Sequence, residues 1–439
     1  YVPAQNNLAL CYKKGTVVEK NLEQAFKWFK KAAQNNFAEA QKNLAHCYER
    51  GQGTKVNLEL AFKWLSKAAN NNDVSAQNNL ALYYIEGKSV EKKPEHAVKW
   101  FTKAAENGHR LAQFNLALCY KRGEGVTINL ESSVKWLTKA AQNNHPEAQN
   151  KLARCYEDGQ GVEKNLNEAF KLFTKAAQNN YPAAQYNLAR CYQHGLGVDK
   201  NQELAIKWLK KAAQSDYTHA QLDLAVVYLN AIGGEKDANQ ALILLSKAAQ
   251  KKCEHAQYRL GQCYVQGQGV EKNLEQAFNW FTKAAQGGHA NAQYDLAVCY
   301  QQGLGVEKNL EQAFNWHIKA ALQGHAEAQN CLGLCYLHGQ GVEKDLEQVY
   351  KWFKKAAANG NEHAISTLTE LNIPYAEAKE GRQTQQPLSI VKMEVSPPQS
   401  DLTDRNHNLN LRPLSIGSEE KDIPKQIRTL MKTVNEKFE

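Results

Sequence analysis

The dipeptide Ala-Gln recurs at positions 4, 40, 76, 112, 148, 184, 220, 256, 292 and 328, a period of 36 residues without an insertion, and an eleventh Ala follows at Ala364. A strict period of this length makes each unit one supersecondary element that must bury its apolar side against copies of itself. Four residues after each anchor Ala stands a Leu, from Leu8 to Leu368, and eight residues after it a Tyr, from Tyr12 to Tyr336. All eight Trp share one phase, from Trp28 to Trp352, with Leu172 and Leu244 in the two remaining units. Every unit then carries Lys-Ala-Ala, from Lys31 to Lys355. A length of 439 residues would otherwise suggest about three domains.

Each unit predicts two helices. In its first half Ala, Leu, Ala and Tyr fall at i, i+4, i+5 and i+8, an apolar stripe of helical period. In the second half Leu22, Ala25, Phe26, Phe29, Ala32 and Ala33 repeat that logic, and the small Ala residues permit close helix approach. Between the halves lies a Gly-x-Gly loop. Gly159 to Asn165 recurs as Gly267 to Asn273, with Gly suited to the positive φ of a helix end and Asn or Asp placed to cap the next helix. Helix pairs this short cannot bury both faces alone, so the chain predicts an all-α solenoid of about ten helix pairs over residues 1–371.

The pattern Ala-x3-Leu-Ala/Gly-x2-Tyr-x2-Gly-x-Gly-Val, followed by Ala-x2-Trp-x2-Lys-Ala-Ala, resembles the Sel-1-like repeat, a relative of the tetratricopeptide repeat. The resemblance covers roughly 1–371 and rests on about ten phased positions in ten consecutive units. It implies a right-handed α-α superhelix whose first helices line a concave face, and a role in assembling protein complexes, with no particular partner. Two units depart from the pattern. In the seventh, Val227, Ala231 and Leu244 replace Cys, Gly and Trp, and in the third Pro94 stands where most units have Leu.

Eight of the ten cysteines, Cys11, Cys47, Cys119, Cys155, Cys191, Cys263, Cys299 and Cys335, share the phase just before the Tyr. Equivalent atoms of stacked helices lie on the order of 10 Å apart, beyond the ~7 Å between Cα atoms that a disulfide tolerates. Free buried thiols and a reducing, cytoplasmic setting are therefore expected, with host cytosol after secretion or the endoplasmic-reticulum lumen as alternatives. His109, His145, His289 and His325 all precede the anchor by three residues and read as helix-junction groups rather than metal ligands. The Gly-x-Gly loops lack the Gly-Lys-Ser/Thr ending of a phosphate-binding loop, and no Gly-x-Ser-x-Gly elbow is present. Neither a cofactor nor an enzyme activity is expected. No apolar run approaches the ~20 residues of a spanning helix. The net charge of +9 falls wholly within the repeats, about one charge per unit, without the clustered cations of a nucleic-acid binder.

If first helices line a concavity, partner contacts belong to the positions that vary between units, those 2, 6, 9 and 10 residues after the anchor. Toward the N-terminus these include Lys13, Arg50, Lys121, Arg122, Arg154 and Arg190, mixed with acidic residues such as Glu49 and Glu157. Tyr186, Leu222, Val226, Leu229, Tyr258, Val265, Tyr294, Val298, Leu334 and Leu337 then make the later units apolar and aromatic. Such residues off the stripe suit an interface core. The same residues also suit packing between neighbouring first helices. The expected partner is a protein or peptide, helical or extended, with apolar and acidic residues.

Six of the ten prolines lie beyond Ile373, so 372–420 predicts a disordered linker, in which Pro-Leu-Ser-Ile occurs twice. In 421–439, Ile423, Ile427, Leu430, Met431, Val434 and Phe438 regain helical spacing, an amphipathic helix that could dock on the array. Tyr1 falls inside a unit junction, as expected of an array that begins upstream. The functional expectation is a non-catalytic scaffold or adaptor. Its alternatives are a regulatory subunit of an enzyme, an effector that an intracellular bacterium delivers to host cells, and, behind these, a hydrolase.

Overall fold

A computed structural model describes residues 1–232 and 237–370. Among the described residues there are 21 α-helices and no strand. Chain contacts divide the molecule into two compact units, one ending at Trp208 and the other starting at Leu209. In the first, α1 (Val2–Lys14), α3 (Ala38–Arg50), α5 (Val74–Glu86), α7 (Arg110–Arg122), α9 (Pro146–Asp158) and α11 (Pro182–His194) are the first helices of successive repeats. They alternate with the second helices α2 (Leu22–Gln34), α4 (Leu58–Asn70), α6 (Pro94–Glu106), α8 (Leu130–Gln142) and α10 (Leu166–Gln178). The next second helix is α12 (Gln202–Gln214). First helices of the second unit are α13 (Thr218–Leu229), α15 (Glu254–Gln266), α17 (Ala290–Gln302), α19 (Ala326–His338) and the shorter α21 (Glu362–Glu370), alternating with α14 (Ala238–Gln250), α16 (Leu274–Gln286), α18 (Leu310–Leu322) and α20 (Leu346–Ala358). The expected linker 372–420 and helix 421–439 lie outside the described residues.

Nine of the eleven first helices end at a Gly in the left-handed conformation, as at Gly51 with φ 66° and ψ 33°. The loop returns to an Asn whose backbone N–H reaches the Tyr carbonyl, as Asn57 to Tyr48 at 2.9 Å, and whose side chain accepts the N–H of the residue three further on, as Leu60 at 2.9 Å. The second glycine of the loop has a steric duty besides its positive φ. A Cβ on Gly305 would lie 2.1 Å from the Leu274 carbonyl oxygen, so this loop presses on the start of the preceding repeat's second helix. Pro94 occupies the first turn of α6, where its missing N–H costs nothing. The seventh repeat differs as its sequence suggests: α13 is one residue shorter than its counterparts and ends at Asn230 without a glycine cap.

The core is a run of like clusters, each centred on a second helix and closed by the first helices on either side. One comprises Ala9, Ala25, Phe29, Ala32, Ala33, Ala40, Leu44 and Cys47. Tyr48 and Trp64 touch both this cluster and the next, which fuses the clusters and explains why one pair cannot stand alone. Phe26 meets Tyr48 edge to face at 5.3 Å, a contact that recurs between Phe278 and Tyr300 at 5.3 Å in the second unit. The Lys of Lys-Ala-Ala lies over the indole of its own helix, from 5.2 Å at Lys31 on Trp28 to 3.7 Å at Lys319 on Trp316. The even spread of these lysines thus follows the tryptophans.

Candidate partner-binding face

The first helices spend most of their positions on stacking. The anchor Ala is completely buried from Ala40 to Ala364, because a second helix crosses it. The Gln beside it reaches back across the repeat junction: in eight repeats, from Gln41 to Gln329, its Nε2 donates to the Ala carbonyl eight residues earlier, at 2.9 to 3.4 Å. In five of these repeats its Oε1 accepts in turn from the next repeat's helix-end amide, as from Asn71 on Gln41 at 2.9 Å and Asn359 on Gln329 at 2.9 Å. This tie satisfies carbonyls that a helix end leaves orphaned. The sequence offered a clue to it, since Gln follows Ala at all ten anchors, but an apolar-periodicity argument has no use for a polar residue there.

Positions 2 and 3 after the anchor join adjacent first helices. Asn43 Nδ2 donates to Asn6 Oδ1 at 3.1 Å, Asn115 to Asn78 at 3.1 Å, and Asn187 to Asn150 at 2.9 Å. In the second unit Tyr258 hydrogen-bonds the fully buried Asp295, and burial raises that carboxyl to about 7. The junction histidines act as N-caps: Nδ1 of His109, His145, His289 and His325 each accepts an Ala N–H at 3.2 Å. Three of them also stack on the preceding repeat's aromatic ring, His145 on Phe114 at 4.8 Å, His289 on Tyr258 at 4.5 Å and His325 on Tyr294 at 4.8 Å. All ten cysteines are free thiols, and burial pushes Cys191, Cys299 and Cys335 up to about 12, so they act as small apolar fillers.

This division of labour sorts the candidate residues. Tyr186, Leu222, Val226, Tyr258, Val298 and Leu337 are buried, between 2% and 7% exposed. They fill gaps between helices and have no surface free for a docked helix, which corrects the expectation of an apolar groove built on them. For Tyr186, Leu222 and Tyr258 the physical reason is register: position 2 points at the neighbouring first helix, where a large side chain packs whether or not a partner exists; Val226 and Val298 at position 6 and Leu337 at position 9 are buried as well. Leu229, Val265, Tyr294 and Leu334 are half-buried and keep one edge outward. Arg50, Lys121, Arg122 and Arg154 are exposed, and Lys13 and Arg190 half-buried.

The residue 9 after one anchor meets the residue 6 after the next anchor. At the junction of α9 and α11, Glu157 pairs with Arg190 at 3.9 Å. At that of α3 and α5, Glu49 takes Lys88 at 2.5 Å and His46 of its own helix at 3.2 Å. Partial burial opposes ionisation of Glu49, but the hydrogen bonds from Lys88 and His46 prevail and hold it below the usual carboxylate range. Ala45, Leu65, Leu82 and Tyr83 complete a cleft of about 200 Å³ around this cluster. At the junction of α7 and α9 the same two positions are Lys121 and Arg154, of like sign. Lys151 lies over the ring of Phe114, 6.0 Å away. Its burial lowers its pKa; Glu147 pulls the other way, and Lys121, Arg122 and Arg154 lower it further.

No group of three His, Cys, Asp or Glu residues able to hold a metal occurs among the described residues, and none of the described helices is long and apolar enough to cross a membrane. No curated protein sequence matches the chain. Among solved structures, a protective antigen of uropathogenic Escherichia coli with the SLR fold is 32% identical, with 90% of this chain and 89% of that one covered and a TM-score of 0.73. A Sel1 repeat protein from Oxalobacter formigenes is 31% identical over 70% of this chain and 89% of its own, with a TM-score of 0.55. The family model of the Sel1 repeat matches ten times in succession, starting with residues 2–37 and 38–73 and ending with 326–361. With its phased positions, helix pairs and ten contiguous matches in agreement, the chain belongs to the Sel1 repeat family.

Proposed function

We propose that this protein is a non-catalytic scaffold or adaptor that holds protein partners against its first-helix face. One observation carries the reading: the residues 9 and 10 after each anchor, apart from the buried Leu337, stay exposed or half-buried and differ from repeat to repeat in charge and size. A surface with a constant backbone and changing side chains suits recognition of an extended or helical protein segment. Stacking and N-capping occupy the junction histidines His145, His289 and His325 and their aromatic neighbours, which favours binding over catalysis. Free thiols throughout support a reducing compartment.

The reading is tested by affinity capture with the full chain beside a variant carrying Lys14→Glu and Arg50→Glu, two exposed first-helix residues. Loss of the same captured proteins with an unchanged thermal melt supports it. Equal recovery from both proteins, together with equal recovery after charge reversal of the remaining exposed first-helix cations, refutes it.

A further inference from the structure

We infer that the junction of α7 and α9 is a docking site for an acidic peptide segment, a run of Glu or Asp side chains held by Lys121, Arg122 and Arg154. The inference rests on the partner-binding reading above and narrows it to one junction and one partner chemistry. Its basis is a comparison the molecule makes with itself. The contact between position 9 of one repeat and position 6 of the next is closed by opposite charge at Glu157 and Arg190, 3.9 Å apart. One further residue, Lys88, supplies the cation for Glu49 at the α3 and α5 junction. At α7 and α9 every one of those places fails to supply a carboxylate. Lys121 faces Arg154, and the residue equivalent to Lys88 is Gln160, whose Oε1 accepts from Lys121 at 3.4 Å.

The excess charge is concentrated as well as unpaired. Arg122 and Arg154 are exposed, and among the described residues neither forms an ion pair. Lys151, half-buried on Phe114, has its one carboxylate, Glu147, 3.8 Å away. Glu124 is half-buried in the loop after α7 and Asp158 is the exposed last residue of α9, and among the described residues neither forms an ion pair with these cations. Four cations thus gather on one face, where the next junction along, that of α9 and α11, pairs its two charges. Holding them together without a counter-charge costs free energy in the empty protein, and an anionic ligand recovers it.

A peptide fits this site better than a nucleic acid. Single strands are held by bases stacked on exposed aromatic rings. Here Phe114 is only 6% exposed and already carries the imidazole of His145 at 4.8 Å. The cluster also occupies one junction rather than a track along the array, enough for a few adjacent carboxylates.

A fluorescein-labelled peptide containing a run of about six glutamates, titrated into the full chain and followed by anisotropy, should bind with an affinity that falls as salt rises. Arg154→Glu gives Lys121 the partner that Arg190 has in Glu157, so it should weaken the peptide by about tenfold or more while the melting temperature holds or rises. Should that variant fail to fold, Lys121→Gln with Arg154→Gln takes its place. Lys135→Glu, the same charge change on the exposed side of α8, should leave the affinity within about twofold. Overturning results are an inert peptide, an Arg154→Glu variant that binds as tightly as the parent, equal weakening by Lys135→Glu, or a single-stranded RNA of equal charge that outcompetes the peptide. Partner capture that depends on Lys14 and Arg50 while the peptide is inert would remove this site alone and leave the scaffold reading standing.

Discussion

His317 is the position at which one substitution tests the packing logic most directly. It sits in the middle of α18 in the phase held by Phe29, Phe101, Phe173, Phe281 and Phe353, with Leu in the other repeats. The imidazole is completely buried, lies 5.8 Å from the Tyr294 ring, and neither ring nitrogen has a hydrogen-bond partner. Burying a polar group without a partner costs about 1–3 kcal/mol, so His317→Phe should stabilise the protein by about that amount near neutral pH. The sister sites show that a phenyl ring fits, since Phe173 packs beside Ala153 as His317 would beside Ala297. Burial also lowers the His317 pKa to about 3, and nearby His325 adds to the effect. The sign follows from proton uptake: between about pH 6.5 and 3 the unfolded chain binds a proton that the folded imidazole refuses, so stability falls on acidification. At about pH 5 the loss is roughly 2 kcal/mol for this one group. Urea unfolding followed by circular dichroism near pH 7.5 and pH 5 should therefore show a stabilised variant at both and a larger gap at the lower pH. His289, also lowered to about 3 by burial and its cationic neighbours, keeps part of the acid sensitivity in place. A variant that is less stable near neutral pH, or equally displaced at both pH values, would refute the reasoning.

Further expectations concern the repeat junctions. Gly305→Ala forces a Cβ to 2.1 Å from the Leu274 carbonyl at a φ of +69°, and should cost more than about 2 kcal/mol in a thermal melt. Gly288→Ala, with φ +98° but nothing within 4 Å, should cost only the backbone strain of about 1 kcal/mol; equal effects would contradict the close loop contact. Gln329→Ala removes the bonds to the Ala321 carbonyl at 2.9 Å and from Asn359 at 2.9 Å, and should cost about 1–3 kcal/mol, visible also as faster hydrogen exchange at the end of α18. Asp295→Asn keeps an acceptor for Tyr258 and removes a carboxyl raised to about 7. A carboxyl with a raised folded pKa penalises folding as pH climbs from about 4 to 7. The variant should therefore gain stability at about pH 8 and little at pH 4, and a gain confined to acid would be the wrong sign.

Much of the architecture was legible because stacking imposes the same demands 36 residues apart. Ala40, Leu44 and Cys47 meet one second helix as Ala292, Leu296 and Cys299 meet another, so their phase announces their burial. The N-cap Asn and the first loop Gly are local requirements that a short segment displays by itself. The candidate face was only partly legible. Tyr258 and Lys121 both vary from repeat to repeat, and variation alone treats them alike, yet one fills a gap beneath His289 and the other reaches solvent. The Gln tie escaped because it joins residues eight and thirty positions apart through polar atoms, outside any apolar stripe.

By itself the sequence determined that this chain builds a stack of paired helices, since an apolar pattern of period 36 is buried only by neighbours of the same kind. Tertiary structure alone decided which variable residues remain surface. That depends on what each side chain faces across the repeat junction: position 2 faces the next first helix, while positions 6 and 9 face each other across the junction. Whether the pair found there is opposite or alike in charge, as Glu157 with Arg190 or Lys121 with Arg154, separates a junction that satisfies itself from one left open to a partner.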